Sequence, residues 1–290
     1  MQDLNTLIEL LTKGRNIHIS ILDIDGILST ELTSIPPRKT FHSKPFCDVA
    51  KSTEAGLKRC LSCKRRANKK AVNGRTAFAG HCSFGIYEAA TPVIRQGTVS
   101  AVVYVGNYVT DPRRSRALIS KSARLTGVDE ELLLSHLGEC EHTPDVDEAF
   151  KIGEIVSDYI LRLIKNSVPR KSSLHWLTLK MKQHAEEFYT SEILLKDLAM
   201  IYHKNEKYMG RIFKKEIGMS FDEYCITLRL AGAEELLLGT SEKIIDIAMS
   251  LGFNNVSYFN RVFKNRYGVS PSEYRRKKAE NNSVASDTVL

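Results

Sequence analysis

The sequence predicts an α+β domain followed by an all-α domain that contains two helix-turn-helix units. Three observations lead there. Strand-length apolar runs, Ile17–Leu22, Ala77–Ala79 and Val99–Val105, fall within residues 1–140 of the 290. From Leu174 to Lys278 the pattern is almost wholly helical. Inside that region one block of sequence occurs twice, 49–50 residues apart.

Residues 1–140 mix the three apolar runs with helical stretches and turns, as an α+β domain does. Residues 141–170 form a helical connection. In its helix, Asp145–Asn166, the apolar residues Ala149, Ile152, Val156, Tyr159 and Leu163 recur at alternating three- and four-residue steps. That spacing suits a helix that pairs with a second copy as a dimer contact, and equally a helix packed on its own domain. Residues 174–278 are the helical domain. The last residues, 279–290, are polar and rich in Asn and Ser, so a disordered tail is expected.

The repeat is detailed. Asp197-Leu-Ala-Met200 returns as Asp246-Ile-Ala-Met249, and Arg211-Ile-Phe-Lys214 as Arg261-Val-Phe-Lys264. Gly218, Ser220 and Glu223 return as Gly268, Ser270 and Glu273. Each copy reads as helix, tight turn, helix: Leu195–Tyr202 then Asn205–Ile217, and Glu242–Leu251 then Asn255–Tyr267. A Ser-x-x-Glu capping box follows each, the second with Pro271 at the first helical position. The helix Phe221–Leu238 joins the copies. Both second helices bury one stripe (Met209, Ile212, Phe213; Phe259, Val262, Phe263) and leave a basic, polar face outside. A helix fits the major groove of DNA, where Arg, Asn and Ser reach base edges and Lys neutralises phosphate. The basic excess is proportionately larger in residues 170–278 (19 Lys/Arg against 13 Asp/Glu) than in 1–169 (23 against 19), which suits an acidic polymer.

Residues 174–277 resemble the AraC/XylS family of transcription regulators, most closely in the stretch from Asp246 to Arg275. The resemblance implies base contacts from Lys207 and Arg211 in the first unit and from Asn255, Ser257, Asn260 and Arg261 in the second, with Lys214 and Lys264 on the same faces. Gly210 stands where the family often has a polar side chain, and Leu194 replaces the usual Ser or Thr cap. The first unit is therefore expected to give affinity more than specificity. The implied partners are double-stranded promoter DNA and RNA polymerase, with activation as the expected outcome and a homodimer as one expected state.

Six cysteines are present, and four of them, Cys47, Cys60, Cys63 and Cys82, are spaced C-x12-C-x2-C-x18-C. Lys58, Arg59, Lys64, Arg65, Arg66, Lys69 and Lys70 are interleaved with them, cations that would offset the formal −2 of four thiolates on Zn²⁺. Zinc, an iron–sulfur cluster, a redox dithiol and ordinary cysteines all remain open, with His42 and His81 as further candidate ligands. The stretch Phe46-Cys47, Cys60-x-x-Cys63, Cys82-Ser-Phe-Gly-Ile-Tyr-Glu88, Pro92, Gly97 and Val105-Gly106 resembles the PocR sensory domain. That resemblance implies a PAS-like α/β sensor fold and a small organic effector such as a diol. Tyr87, Glu88, Tyr104 and Asn107 are the candidate effector-binding residues, chosen for polarity near the shared motif.

The sequence admits two other readings. Asp23-Ile-Asp25-Gly26 after an apolar run resembles the nucleophile motif of haloacid-dehalogenase-type phosphatases, but Ile27 follows and no downstream metal site at suitable spacing accompanies it. The expectation is that the protein is not an enzyme. The other is a sensor or adaptor whose helical domain binds protein. No apolar run approaches the roughly 20 residues of a membrane span, and no secretory signal is recognisable. A cytoplasmic protein is expected.

Overall fold

A computed structural model describes residues 3–30, 32–36, 39, 44–143, 145–166, 174–190, 194–202 and 204–276. His42 and the expected disordered tail lie outside the described residues. The chain divides into two compact units. One runs through Leu177 and includes Lys196–Glu206; the other comprises Thr178–Leu195 and the chain from Lys207 onward.

The first unit is built on an antiparallel sheet of four strands, β1 (His18–Asp23), β2 (Phe78–His81), β3 (Tyr87–Arg95) and β4 (Thr98–Val109), in the order β1-β4-β3-β2. A short β5 (Glu141–His142) pairs parallel with the end of β4. The helices are α1 (Leu4–Thr12), α2 (Pro45–Ala50), α3 (Glu54–Gly74), α4 (Pro112–Thr126), α5 (Glu130–Leu137) and α6 (Asp147–Asn166). All six residues of β1 are buried, and β4 is buried from Val99 onward. Period-two alternation therefore sends apolar side chains to both faces. Ile19, Ile21, Val103 and Val105 share a core with Leu4 and Ile8 of α1 and with Ala149, Ile152, Val156, Ile160 and Leu163 of α6.

That core decides the question the α6 spacing leaves open. Its apolar stripe is spent on the sheet, so α6 belongs to the first unit and is not a separate linker from 141. A second cluster, with Phe46, Cys47, Ala50, Phe84, Ile119 and Leu133, gathers α2, α4 and α5.

In the helical region α7 (Trp176–Phe188), α8 (Leu195–Ile201), α9 (Glu206–Ile217), α10 (Phe221–Gly239), α11 (Ile244–Ser250) and α12 (Val256–Tyr267) lie where the periodicity puts them. The capping box of α10 is complete: Glu223 N donates to Ser220 Oγ, and Ser220 N donates to Glu223 Oε2. Ser270 and Glu273 make the same pair of bonds. In the second unit Leu230, Ala233 and Leu237 of α10 pack with Ile247 and Ala248 of α11 and with Phe259 and Phe263 of α12. Ala248 allows the close crossing of α11.

Between α11 and α12 the chain turns at Gly252, where φ is +80° and a Cβ would lie 2.2 Å from the Thr190 carbonyl oxygen. Only glycine fits both conditions. Arg229 of α10 clamps this turn, donating from Nε to the Tyr189 carbonyl at 2.6 Å and from a terminal nitrogen to the Gly252 carbonyl at 2.7 Å.

Replacing Ile160 by Ala should lower unfolding free energy by about 2–5 kcal/mol, because Ile160 is fully buried. Ile155→Ala, on the exposed side of α6, should stay within about 0.5 kcal/mol. Urea denaturation of both variants checks this. A neutral Ile160→Ala would mean that α6 spends its stripe elsewhere.

Candidate sensory cavity and nucleic-acid interface

On the sheet face opposite the α1–α6 core, α2, α3, β2, β3 and β4 line a partly open cavity of about 120 Å³. Its wall is mostly apolar, with Phe46, Ala50, Phe84 and Ala90, and carries Cys47, Cys60, Cys63 and Cys82. The polar side chains that reach it include Lys64, Glu88 and Tyr104.

Glu88 organises these groups. It sits on β3 opposite Gly106 of β4, which in turn sits opposite His18 of β1. Glycine leaves the middle strand bare, so His18 and Glu88 meet above it, with Nε2 3.1 Å from Oε1. A Cβ at residue 106 would stand 2.8 Å from Glu88 Cγ and 3.0 Å from His18 Cε1. From α3, Lys64 donates to the same carboxylate oxygen at 3.5 Å, and its ammonium lies 3.0 Å from the centre of the Tyr104 ring. Tyr104 Oη donates to Asn68 Oδ1.

Burial shifts the titrating groups around Glu88. It lowers the His18 and Lys64 pKa values, while Glu88 pulls both the other way. It raises Tyr104 well above its ordinary value. A buried carboxylate held by a hydrogen-bonding imidazole and an ammonium is the arrangement an apolar interior requires.

The cysteines come to this cavity from α2 (Cys47), from one face of α3 (Cys60 and Cys63, one turn apart) and from the end of β2 (Cys82). Burial raises the thiols of Cys47, Cys60 and Cys82, and neighbouring thiols push the same way. Lys51 lowers Cys47 and Cys60. Of the interleaved cations, Lys64 turns into the cavity; Arg65, Arg66, Lys69 and Lys70 face solvent, and Lys58 pairs with Glu54. His81 stands directly opposite Tyr87 in the β2–β3 register, so its ring lies on the side of the sheet away from Glu88, with Nε2 3.4 Å from Thr110 Oγ1.

Two of the four expected effector residues are misplaced. Glu88 and Tyr104 line the cavity, but Tyr87 does not: it packs against the core on the other face and meets His81 edge-on. Asn107 is the extra residue where the β3–β4 register shifts, with φ +78°. Its amide donates to the Asn16 carbonyl and accepts from the Cys140 thiol, so it locks a bulge. His18 and Gly106 are the residues that sequence reasoning left out of the site. Asp23 is no nucleophile: its carboxylate is buried and accepts from the backbone N–H groups of Gly26, Ile27 and Leu28 at 2.8–3.1 Å. It shapes the turn after β1.

In the helical region Lys207, Arg211 and Lys214 form an exposed row on α9, opposite the buried Met209 and Phe213. Gly210 is a packing position, where a Cβ would meet Leu195 Cδ2 at 3.2 Å. On α12 Ser257, Asn260, Arg261 and Lys264 are exposed opposite Phe259 and Phe263. The Arg261 guanidinium lies over the Tyr258 ring at 5.3 Å. Asn255, itself exposed, caps α12, with Oδ1 accepting from Tyr258 N at 3.0 Å, so the bond uses its oxygen and not its NH₂.

Residues 1–163 match the family described as the sensory domain found in PocR. The chain belongs to this PocR sensory-domain family. Residues 198–277 match a helix-turn-helix domain. The regulatory protein PocR of Salmonella typhimurium is 23% identical over 98% of this chain and 96% of that protein. The activator RhaR of Yersinia pseudotuberculosis is 37% identical, but over only 28% of this chain and 29% of its own length. Among solved structures, the C-terminal domain of AraT, a response regulator from Geobacillus stearothermophilus, is 32% identical with a TM-score of 0.35, over 37% of this chain and 88% of that one. This PocR-family chain is thus a DNA-binding transcription regulator of AraC type with an amino-terminal sensory domain. No described helix is long and apolar enough to cross a membrane.

Gly106→Ala should destabilise the protein by about 1–3 kcal/mol through overpacking, read by urea denaturation. An unchanged midpoint would show that His18 and Glu88 do not depend on the bare strand between them.

Proposed function

We propose that the chain is a one-component transcription activator of the cytoplasm, in which a small organic effector such as a diol enters the cavity and two unequal helix-turn-helix units hold promoter DNA. The single observation that carries the DNA half is the pair of exposed stripes on α9 and α12, each backed by buried aromatic packing. Such helices suit major grooves, and tandem units suit successive grooves on one face of the duplex. The second unit offers Asn255, Ser257, Asn260 and Arg261 to base edges. The first, with Lys207 and Arg211 beside Gly210, contributes mainly affinity, and Lys214 and Lys264 meet phosphate. Activation follows the AraC-type resemblance and brings RNA polymerase as a partner; a two-fold operator would bring a homodimer.

We read the sensory domain as a PAS-like variant. Glu88 and Lys64 place an acceptor and a donor side by side in an otherwise apolar wall, which suits two neighbouring hydroxyls. A partly open cavity of about 120 Å³ suits a small organic compound.

Fluorescence anisotropy on an operator fragment at several salt concentrations tests the DNA half. Arg261→Ala should weaken specific binding about ten- to a hundredfold and relax base preference, and Arg211→Ala should weaken it less. Lys264→Ala should weaken all sequences alike and reduce the salt slope by about one. Unchanged binding in both arginine variants would favour the protein-binding adaptor instead. For the effector half, small vicinal diols should raise the melting temperature of the natural chain and not of Glu88→Gln. An equal shift in both would remove Glu88 from the site.

A further inference from the structure

Helices α3 and α4 lie side by side in the first unit. Arg59 Nε of α3 donates to Ser122 Oγ of α4 at 3.0 Å, and Thr53 Oγ1, which caps α3, donates to the Thr126 carbonyl at 2.8 Å. Together the two helices carry twelve of the 23 Lys and Arg residues of positions 1–169 but only one of the 19 Asp and Glu residues, Glu54. The acids are gathered elsewhere, ten of them within residues 129–158 against Lys151 alone. A region of modest net charge is therefore strongly polarised. Among the described residues, carboxylates pair in α3 with Lys58 and Lys64. Arg65, Arg66, Lys69 and Lys70 are exposed within two turns of that helix, and all five cations of α4 are exposed as well. Like charges at helical spacing repel one another, a cost to the fold that an anionic partner removes.

We propose that the exposed face of α3 and α4 binds the phosphate backbone of duplex DNA beside the operator. The sensory unit then adds a sequence-independent grip to the contacts of α9 and α12. Lys and Arg side chains presented on a helix surface are what phosphate contacts use. A chain that holds its operator through helix-turn-helix units also keeps the flanking duplex at high local concentration around its other unit. An anionic membrane suits the face less well. A helix that lies on a membrane sets large apolar side chains beside its cations, and no exposed position of α3 holds an apolar side chain larger than that of Ala55. The proposal goes beyond the reading of the α9 and α12 stripes and is independent of which bases they contact.

The full chain is titrated by fluorescence anisotropy with an operator duplex carrying long flanks, and with the same operator trimmed to its edges, across a series of salt concentrations. The natural chain should bind the flanked duplex about tenfold more tightly and with the steeper salt slope. Arg65→Ala, Arg66→Ala and Lys69→Ala combined should remove that advantage and reduce the slope on the flanked duplex by about two to three. Affinity for the trimmed operator should stay unchanged, which also shows that the variant is folded. Arg114→Ala combined with Lys121→Ala should act in the same direction on α4. Lys151→Ala, an exposed cation of the acidic region, should change neither measurement. No gain from the flanks, a gain indifferent to the α3 variant, or equal loss on both duplexes would each overturn the proposal. Binding to phosphatidylserine vesicles that depends on the α3 cations, without any flank effect, would assign the face to a membrane instead. Arg261→Ala on the trimmed operator reads the α12 stripe separately, so either reading can fail without the other.

Discussion

A carboxylate buried against an apolar sheet face is the constraint on which the sensory unit depends. Glu88 cannot remain unpaired there without a penalty of several kcal/mol, and meeting its needs fixes three other residues. Residue 106 must be glycine, so that the next strand can reach across. His18 must occupy the matching position of β1, and the register puts it there. Lys64 must turn inward from α3. Because Lys64 follows Cys63 directly and lies about one helical turn beyond Cys60, the rotation that satisfies Glu88 also carries both cysteines to the cavity wall.

The two faces of the sheet divide the labour. One is filled by α1 and α6 with fully buried aliphatic side chains, and it supplies stability. The other leaves a cavity and pairs its polar groups with one another, which is the less stable choice. The helical region follows the same economy at smaller scale. Phe213, Phe259 and Phe263 hold short helices in place, so the opposite faces of α9 and α12 are free to carry charge without being needed for the fold.

Much of this was legible in the sequence, for reasons that differ between the halves. The helices of residues 174–276 announce themselves because caps, glycine stops and apolar steps are local signals, and because the block occurs twice. The strands are harder. β3 carries Pro92 within Tyr-Glu-Ala-Ala-Thr-Pro-Val-Ile, which disguises it. The proline is tolerated because β2 pairs only as far as Ala90, leaving that edge of β3 without a strand partner at residue 92. The α6 stripe could not choose between a second copy and its own sheet, since both need the same spacing.

The cavity was half legible. Its cysteines and Glu88 stand in a recognisable motif, and alternation alone turns Tyr87 away as the neighbour of Glu88, whereas the bulge at Asn107 has no signal in the periodicity. His18 meets Glu88 across 70 residues of sequence and a bare glycine, a relation that exists only in the register. If this one cavity senses the effector, bound ligand must protect its walls. Hydrogen–deuterium exchange of the full chain, with and without a small diol at saturating concentration, tests it most directly. Slower exchange is expected in the segments around Lys64, Glu88 and Tyr104. Bound diol with no change in those segments would contradict it.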